Sequence, residues 1–446
     1  MTTIFAPITS TSRAGVVVIR ISGPQSIKCL EALGCSVELQ SHKIFFHKLF
    51  DPTNQEIIDE ALISFFQAPR SFTGEDVVEI NIHASPYILK KITQILLEQK
   101  NVYYAQAGEF SKRAFMNGKI DLVQAEAIPD LIACETEMQH RQAIKQLNGE
   151  LGKIYENWRE ELLEVMALIE ANIDFPEDDI PPSTIDKIIF GVKKIIHEIS
   201  QHLQDNKIGQ KIKDGLNLVI LGSPNVGKSS LINFLAQSEI AIVSDLAGTT
   251  RDVVETHLEI KGLAVKIADT AGLRLSDDKI EQEGIRRAIK KAQDADIKIF
   301  VVDATNPIFN HELIDLNSII IINKIDKIKN FDFDFFIKEN RLDFDVKKIL
   351  PISLINKINT SQLIKILEEQ ILEILPQNNS PLITQERYRK ILQDCLINLK
   401  NFSLDKNIEI AAQDLWITSR ELGKITGKFD IENILEIIFS RFCIGK

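Results

Sequence analysis

The chain has 446 residues, and 52 Lys+Arg against 63 Asp+Glu give a formal net charge of -11. With 44% hydrophobic and 26% charged residues, it reads as a globular chain with room for about three domains, which excludes a disordered tail protein, a collagen-like chain and a disulfide scaffold. The acidity argues against coating nucleic acid through bulk charge, without excluding a local basic patch.

Five cysteines are scattered at Cys29, Cys35, Cys134, Cys395 and Cys443. None makes a CxxC pair, so no zinc knuckle or thioredoxin-type motif is expected, and an odd number without framework spacing suits a reducing compartment. The first fifteen residues lack the basic start and apolar stretch of a signal peptide. The aliphatic run at Ile319 to Ile322 falls far short of the ~20 residues that span a bilayer. These features predict a cytoplasmic protein without a membrane partner.

In chain order, VVVIRI (16–21) and VVEINIHA (77–84) read as strands, and the stretch from Tyr87 to Gln99 has helical spacing. The expectation is an α+β domain over residues 1–118. A helical region follows over 119–212. In it Ile154, Trp158, Leu162, Val165 and Ile169 form one apolar stripe. The run PEDDIPP (176–182) breaks that helix, and a second helix is expected from Ile185 to Leu203. At Leu216 the period changes. LNLVIL (216–221), AVKIA (264–268), IKIFVV (297–302), IIII (319–322) and KKILPI (347–352) are short apolar runs separated by helical stretches, the alternation of a doubly wound α/β sheet. This predicts an α/β domain over 213–375, inserted into a helical domain that resumes over 376–446.

The segment Gly222-Ser-Pro-Asn-Val-Gly227-Lys228-Ser229 fits G-x-x-x-x-G-K-[ST] and directly follows a predicted strand. Its backbone N–H groups can curl around phosphate oxygens, Lys228 can reach the β/γ-phosphates, and the Ser229 hydroxyl suits Mg2+. Asp269, Thr270, Ala271 and Gly272 (DTAG) follow the next strand, where the aspartate can hold the Mg2+ shell and the glycine N–H can meet a γ-phosphate. Asn323, Lys324, Ile325 and Asp326 (NKID) follow a later one. An aspartate there accepts from guanine's ring N–H and exocyclic amine, which adenine cannot satisfy, so the nucleotide is GTP. Ser353-Leu354 stands where GTPases place a Ser-Ala loop against the base. Leu replaces Ala, so backbone contact is expected.

These motifs carry a specific resemblance. IAIVSDLAGTTRD (240–252), SPNVGKSS (223–230) and DTAGLR (269–274) resemble the G domain of the bacterial tRNA modification GTPase MnmE (TrmE) family. The N-terminal pieces GVVVIRISGP, SFTGEDVVEI and GEFSKRAFMNGKIDLVQAEAI and the ending Phe442-Cys443-Ile444-Gly445-Lys446 are similar to the same family, whose C-terminal signature is Cys-x-Gly-Lys. The resemblance covers essentially the whole chain. It implies a multidomain fold: an α+β tetrahydrofolate-binding-like dimerisation domain, an α-helical central domain and an inserted α/β P-loop GTPase domain.

For the reaction, the resemblance implies GTP hydrolysis coupled to modification of carbon 5 of the wobble uridine in certain tRNAs, with a folate one-carbon unit (5-formyl-tetrahydrofolate or a relative). The implied partners are a second copy of the chain, tRNA held through the complex, and MnmG, an FAD- and NADH-using protein, as a heterotetramer. Nucleotide contacts are implied for Asn225 through Ser230 (Val226, Gly227, Lys228 and Ser229 between them), for Ser244, Asp245, Leu246, Ala247, Gly248, Thr249 and Thr250, and for the DTAG, NKID and Ser353-Leu354 segments. Ser229 and Thr250 would serve Mg2+. K+ would take Asn225, Ser244, Leu246 and Thr249. The residue after DTAG is Leu273, which cannot orient water as the Gln of many regulatory GTPases does. The family assigns that role to the glutamate at Glu281, which by residue type alone reads as a solvated helix-face acid. Arg20, Glu79, Lys119 and Lys446 match folate-contacting positions, although Arg20 and Glu79 alone would equally make a strand-end ion pair. His83-Ala84-Ser85 departs from the family's His-Gly-Gly there. The family makes Cys443 catalytic, and residue type alone allows a small apolar residue under the last helix.

The G domain by itself also fits a regulatory switch in ribosome or ribonucleoprotein assembly. Arg286, Arg287, Lys290 and Lys291, and Arg387, Arg389 and Lys390, read as solvated helix faces. No RRM or KH motif is visible.

Overall fold

A computed structural model describes residues 2–11, 14–36, 39–174, 182–205, 207–238, 256–268, 293–309, 314–315, 318–342, 348–375, 381–404, 408–429, 435, 438–440 and 442–445. The chain forms two compact units, Met1–Pro129, Gln146–Ile196 and Asp394–Lys446 in one, and Asp130–Lys145 and His197–Gln393 in the other.

The first unit opens with β1 (Thr3–Pro7), β2 (Val16–Ser22), α1 (Ser26–Ala32), β3 (Ile44–Phe50), β4 (Ile57–Phe66), β5 (Val77–His83), α2 (Pro86–Leu97), β6 (Val102–Tyr104) and α3 (Glu109–Met116). Its sheet runs β3-β4-β5-β2-β1-β6, with β1 and β6 parallel and the other pairs antiparallel. Apolar residues alternate along β4, where Asp59, Ala61, Ile63 and Phe65 face inward. The apolar members of this row join Leu30, Leu33, Ile92 and Leu96 of the helical layer in one core. The edge strand β3 buries little, and Ile44 and Phe46 stay exposed.

Helices α4 (Leu122–Ile132), α5 (Glu137–Leu147), α6 (Glu150–Asp174) and α7 (Pro182–Leu203) follow. On α6 the buried stripe is Leu151, Tyr155, Trp158, Leu162, Val165 and Ile169, an alternating four-three spacing that keeps one face inward. Ile154 is half-buried and lies beside that stripe, so the stripe begins at Leu151 and Tyr155, not at Ile154.

The second unit holds α8 (Ile208–Asp214), β7 (Leu216–Leu221), α9 (Lys228–Ala236), β8 (Thr256–Ile260), β9 (Leu263–Ala268), β10 (Ile297–Asp303), β11 (Ser318–Asn323), a 3-10 turn (Ile325–Lys327), α10 (Phe333–Glu339), β12 (Ile349–Pro351) and α11 (Thr360–Ile374). Helices α12 (Glu386–Asn401) and α13 (Ile408–Thr426) complete the described elements. The sheet order is β12-β11-β10-β7-β9-β8, parallel except for the β8–β9 pair. The run at 216–221 is apolar almost throughout because both faces are covered: Leu218 and Ile220 join one core cluster, Val219 and Leu221 the other. From β7 the chain goes to β9 on one side and then to β10 on the other. The C-terminal end of β7 is therefore the topological switch point, where open α/β sheets bind ligands. This is the P-loop α/β architecture; the first unit holds the α+β sheet. Among the described residues no helix is long and apolar enough to cross a membrane.

Candidate functional site: a nucleotide cradle and a C-terminal tail on the first sheet

The phosphate loop leaves β7 at Gly222, whose φ is 139. A Cβ there would lie 2.2 Å from the Val301 carbonyl oxygen, so only glycine lets the loop leave the sheet so close to β10. Gly227 precedes α9 at φ 110, and its Cβ would lie 2.3 Å from Asn323 Nδ2. Between them Asn225 holds a left-handed φ of 62 and is exposed, while Val226 is buried. Lys228 Nζ donates to the carbonyls of Gly222 and Ser223, both at 2.8 Å. The ammonium thus lies over the loop whose N–H groups would face phosphate. Ser229 and Ser230 are exposed at the first turn of α9, where the helix dipole favours an anion. An exposed hydroxyl at Ser229 suits a hard divalent cation.

The segment after β11 is bound to this loop. Asn323 Nδ2 donates to the Val226 carbonyl at 2.8 Å, and Asn323 Oδ1 accepts from Leu354 N–H at 3.3 Å. Lys324 Nζ donates to the Asn225 carbonyl at 2.6 Å. Asp326 is exposed on the 3-10 turn. Ser353 is fully buried, and its backbone exchanges hydrogen bonds with Ile358 at 3.2 and 3.0 Å. Its Oγ accepts from Asn356 N–H at 3.1 Å. Leu354 thus meets Asn323 through its backbone N–H.

The structure accordingly brings Asn225 to Ser230, Asn323 to Asp326 and Ser353-Leu354 together at the C-terminal ends of β7, β11 and β12. Ser244, Asp245, Leu246, Ala247, Gly248, Thr249, Thr250, Asp269, Thr270, Ala271, Gly272, Glu281 and Lys446 lie outside the described residues. The apolar run that marks β10 in the sequence ends at Val302, and the pattern gives no role to Asp303, which accepts from Lys324 at 2.6 Å. The available signal is that Asp303 is the first acidic residue after the apolar run Ile299 to Val302.

In the first unit Arg20 and Glu79 are cross-strand partners on β2 and β5. They form a double contact, Nε and Nη2 of Arg20 reaching Glu79 Oε1 at 2.9 and 2.8 Å. The guanidinium also lies over the rings of Phe72 and Phe110, at 5.2 and 5.7 Å. Lys119 Nζ donates to the Pro69 carbonyl at 2.9 Å, and its stem would touch a Cβ at Gly74. Arg20 and Lys119 thus contact the same 69–74 loop. Lys119 also lines a cavity of about 550 Å³ with Gln124, Thr426 and Lys428. His83, first of the departing His83-Ala84-Ser85 residues, bonds to Asp59 through its N–H and Nδ1, each at 2.8 Å.

The end of the chain returns to this sheet. Ile444 makes an antiparallel bridge with Ala107, and Gly108 N–H donates to the Cys443 carbonyl. Gly445 has φ 99, and a Cβ there would lie 2.3 Å from the Pro7 carbonyl oxygen. Phe439 and Phe442 pack with Leu122 of α4 beneath. Cys443 itself is exposed, so it is not the apolar filler that free cysteine often is. Its neighbour turn 107–110 carries Phe110, which also meets Arg20.

A P-loop at the switch point, a guanine-type Asn-Lys-x-Asp segment clipped to it and a Ser-containing turn behind define a GTPase of the P-loop class. Sequence relatives narrow this. The family described as the MnmE helical domain matches residues 122–443, and that described as the GTP-binding protein TrmE N-terminus matches 3–119. The tRNA modification GTPase MnmE of Rickettsia bellii (strain RML369-C) is 46% identical, and that of Rickettsia canadensis (strain McKiel) is also 46% identical, each over the full length of both chains. Among solved structures, a point variant of Aquifex aeolicus Era bound to GDP.AlF4- shares 28% identity over 41% of this chain and 67% of its own, with a TM-score of 0.27. The chain belongs to the MnmE family of tRNA modification GTPases, and with it to the GTP-hydrolysing enzymes.

Proposed function

We propose that the chain couples GTP hydrolysis to modification of carbon 5 of the tRNA wobble uridine, in the cytoplasm and as a homodimer. It works with an FAD- and NADH-dependent MnmG partner in a heterotetramer and with a folate one-carbon donor. In this reading residues 1–118 bind folate and dimerise, 119–212 and 376–446 form the helical domain, and 213–375 form the G domain.

The arrangement that supports it best is the return of Cys443 to the turn whose Phe110 meets the Arg20–Glu79 pair. A cysteine whose backbone the chain returns to that turn, exposed and two residues along the bridge from a ring that meets the half-buried Arg20, suits chemistry on a small one-carbon donor. Glu79 would accept from the donor edge of a pterin, and Arg20 and Lys119, with Lys446, would answer its carboxylates. At the nucleotide, Lys228 draws charge from the β/γ-phosphates and Asp326 reads guanine. The exposed Ser229 hydroxyl, with Thr250, fits a Mg2+ ion, which when bound would neutralise phosphate charge. Asn225, Ser244, Leu246 and Thr249 offer oxygen donors suited to K+. Glu281 would orient the attacking water, a role Leu273 cannot take.

The test is nucleoside mass spectrometry of tRNA from cells lacking the protein, complemented with either the native chain or Cys443→Ser. Native complementation should restore the modified wobble uridine. The serine variant should not, although its GTP hydrolysis is normal, because the Cys443 contact to Gly108 runs through the backbone. Unchanged wobble uridines in the deletion would overturn the reading.

A further inference from the structure

Two adjacent residues at the end of β11 grip two adjacent carbonyls of the phosphate loop: Asn323 takes Val226, and Lys324 takes Asn225. The second grip needs explaining. Lys324 sits in a left-handed conformation, φ 66, as does Asn225 at φ 62. Such conformations cost a non-glycine residue of order 1 kcal/mol and persist only where neighbours over-determine them. A lysine side chain is also long and free to rotate, so a single carbonyl would not fix its ammonium.

Asp303 supplies the missing constraint. It ends β10 directly opposite Asn323 in the parallel register. Its Oδ2 accepts from Lys324 Nζ at 2.6 Å. Its Oδ1 accepts from the N–H and Oγ of Thr305, at 2.9 and 2.7 Å, so both carboxylate oxygens have fixed partners. The Ala304 N–H donates to the Asn323 carbonyl at 2.8 Å, which ties the two strand ends. The pair is sheltered, with side chains 20% and 16% exposed, and charge-assisted bonds are strongest in such places. Burial alone would raise the Asp303 carboxyl, yet the bonds from Lys324 and Thr305 outweigh it and hold the carboxyl below its usual range.

We infer that Asp303 is a positioning residue for guanine-nucleotide binding: by fixing the Lys324 ammonium on the Asn225 carbonyl, it locks the base-reading segment to the phosphate loop. It does not touch nucleotide itself and acts through Lys324. The inference rests on reading Asn323 to Asp326 as the base-reading segment. Loss of Asp303 leaves Lys324 free to swing away, and the phosphate loop then meets the nucleotide held by the Asn323 grip alone.

The test measures the dissociation constant of a fluorescent GDP analogue for the full chain and for Asp303→Ala, Asp303→Asn, Lys324→Met and the Asp303→Ala/Lys324→Met double variant, with thermal unfolding as a fold check. Removing a hydrogen bond to a charged group should weaken binding by roughly ten- to a hundredfold in Asp303→Ala. Asp303→Asn, which keeps one acceptor oxygen in a neutral form, should fall between it and the native chain. In the Lys324→Met background, Asp303→Ala should cause no further loss, because its target is gone. A purely structural role would instead add its full effect in that background and would overturn the inference, as would native affinity in Asp303→Ala. Native affinity in Lys324→Met would overturn the inference too, whereas native affinity in Asp326→Asn, measured alongside, would show that the base-reading assignment itself fails, a distinct result.

Discussion

Asn225 divides its functions between backbone and side chain. Its carbonyl is held by Lys324 at 2.6 Å, and with a φ of 62 the residue stands exposed on the loop. The amide oxygen is thus the part of the residue left to serve a monovalent cation in the proposed reading, a hard oxygen donor for a hard ion. GTP hydrolysis is expected to run faster in K+ than in Na+ at equal ionic strength, and Asn225→Ala should erase the difference. Phosphate release in matched chloride buffers measures this. Equal rates in both salts for the native chain would remove the cation from the reading. The charge that a regulatory GTPase takes from an arginine finger would then have to come from a residue.

At the scale of elements, the last turn of α7 is locked to the first turns of α12. Arg389 pairs with Asp205 at 2.5 Å and donates to the Leu203 carbonyl at 3.2 Å. His202 lies against this pair. Burial pushes its imidazole down to about 4, with Asp205 acting against that shift and Arg389 reinforcing it. The unfolded chain takes up this proton near the ordinary value of 6.5, so between 6.5 and about 4 the unfolded state holds more protons. The stability this neutral imidazole protects is whole above 6.5 and is lost as pH falls towards 4, up to roughly 3 kcal/mol. His202→Gln should therefore flatten the fall in melting temperature across that window, read by thermal unfolding from pH 7 downwards. A slope unchanged by the substitution would assign the acid sensitivity to other groups. What can be read from sequence follows the same physics of burial. Leu216 to Leu221 and Ile319 to Ile322 are legible as strands because both their faces are covered, so the runs are almost wholly apolar. β3 (IFFHKLF) and β8 (THLEI) are not legible because their runs mix polar with apolar residues, so they lack the continuous apolar stretch of a strand covered on both faces. On α6 aliphatic type alone cannot tell the half-buried Ile154 from its buried neighbour Leu151, so the pattern draws it into the stripe. The Gly-rich loop is legible as a motif, but Asp303 is not. Its role depends on the parallel register that sets it opposite Asn323, and no local spacing encodes that. The docking of Cys443 on Gly108 is likewise a contact across most of the chain, visible only once folded.

Over the whole molecule, the charge of -11 bears on how tRNA is reached. Affinity for nucleic acid comes largely from phosphate neutralisation by lysine and arginine with counterion release. Here several of the cations in described contacts already have acidic partners: Lys91 pairs with Asp51, Arg113 with Glu75 and Glu109, Lys211 with Asp296, and Lys213 with Asp130. A paired lysine has to give up its carboxylate before it can take a phosphate, so it contributes less than its charge suggests. The excess of acid then repels the tRNA backbone over a screening length of about 8 Å at physiological ionic strength. The isolated protein should therefore bind tRNA only in the non-specific range, with dissociation constants of about 10⁻⁴ to 10⁻⁶ M at physiological salt. Adding the flavoprotein partner should tighten binding well beyond that. Filter binding with radiolabelled tRNA, titrated against salt for the chain alone and for the complex, separates the cases. Nanomolar affinity of the chain alone, with a steep salt slope, would mean that a basic surface on this protein grips the substrate directly, and the net charge would then mislead about where tRNA sits.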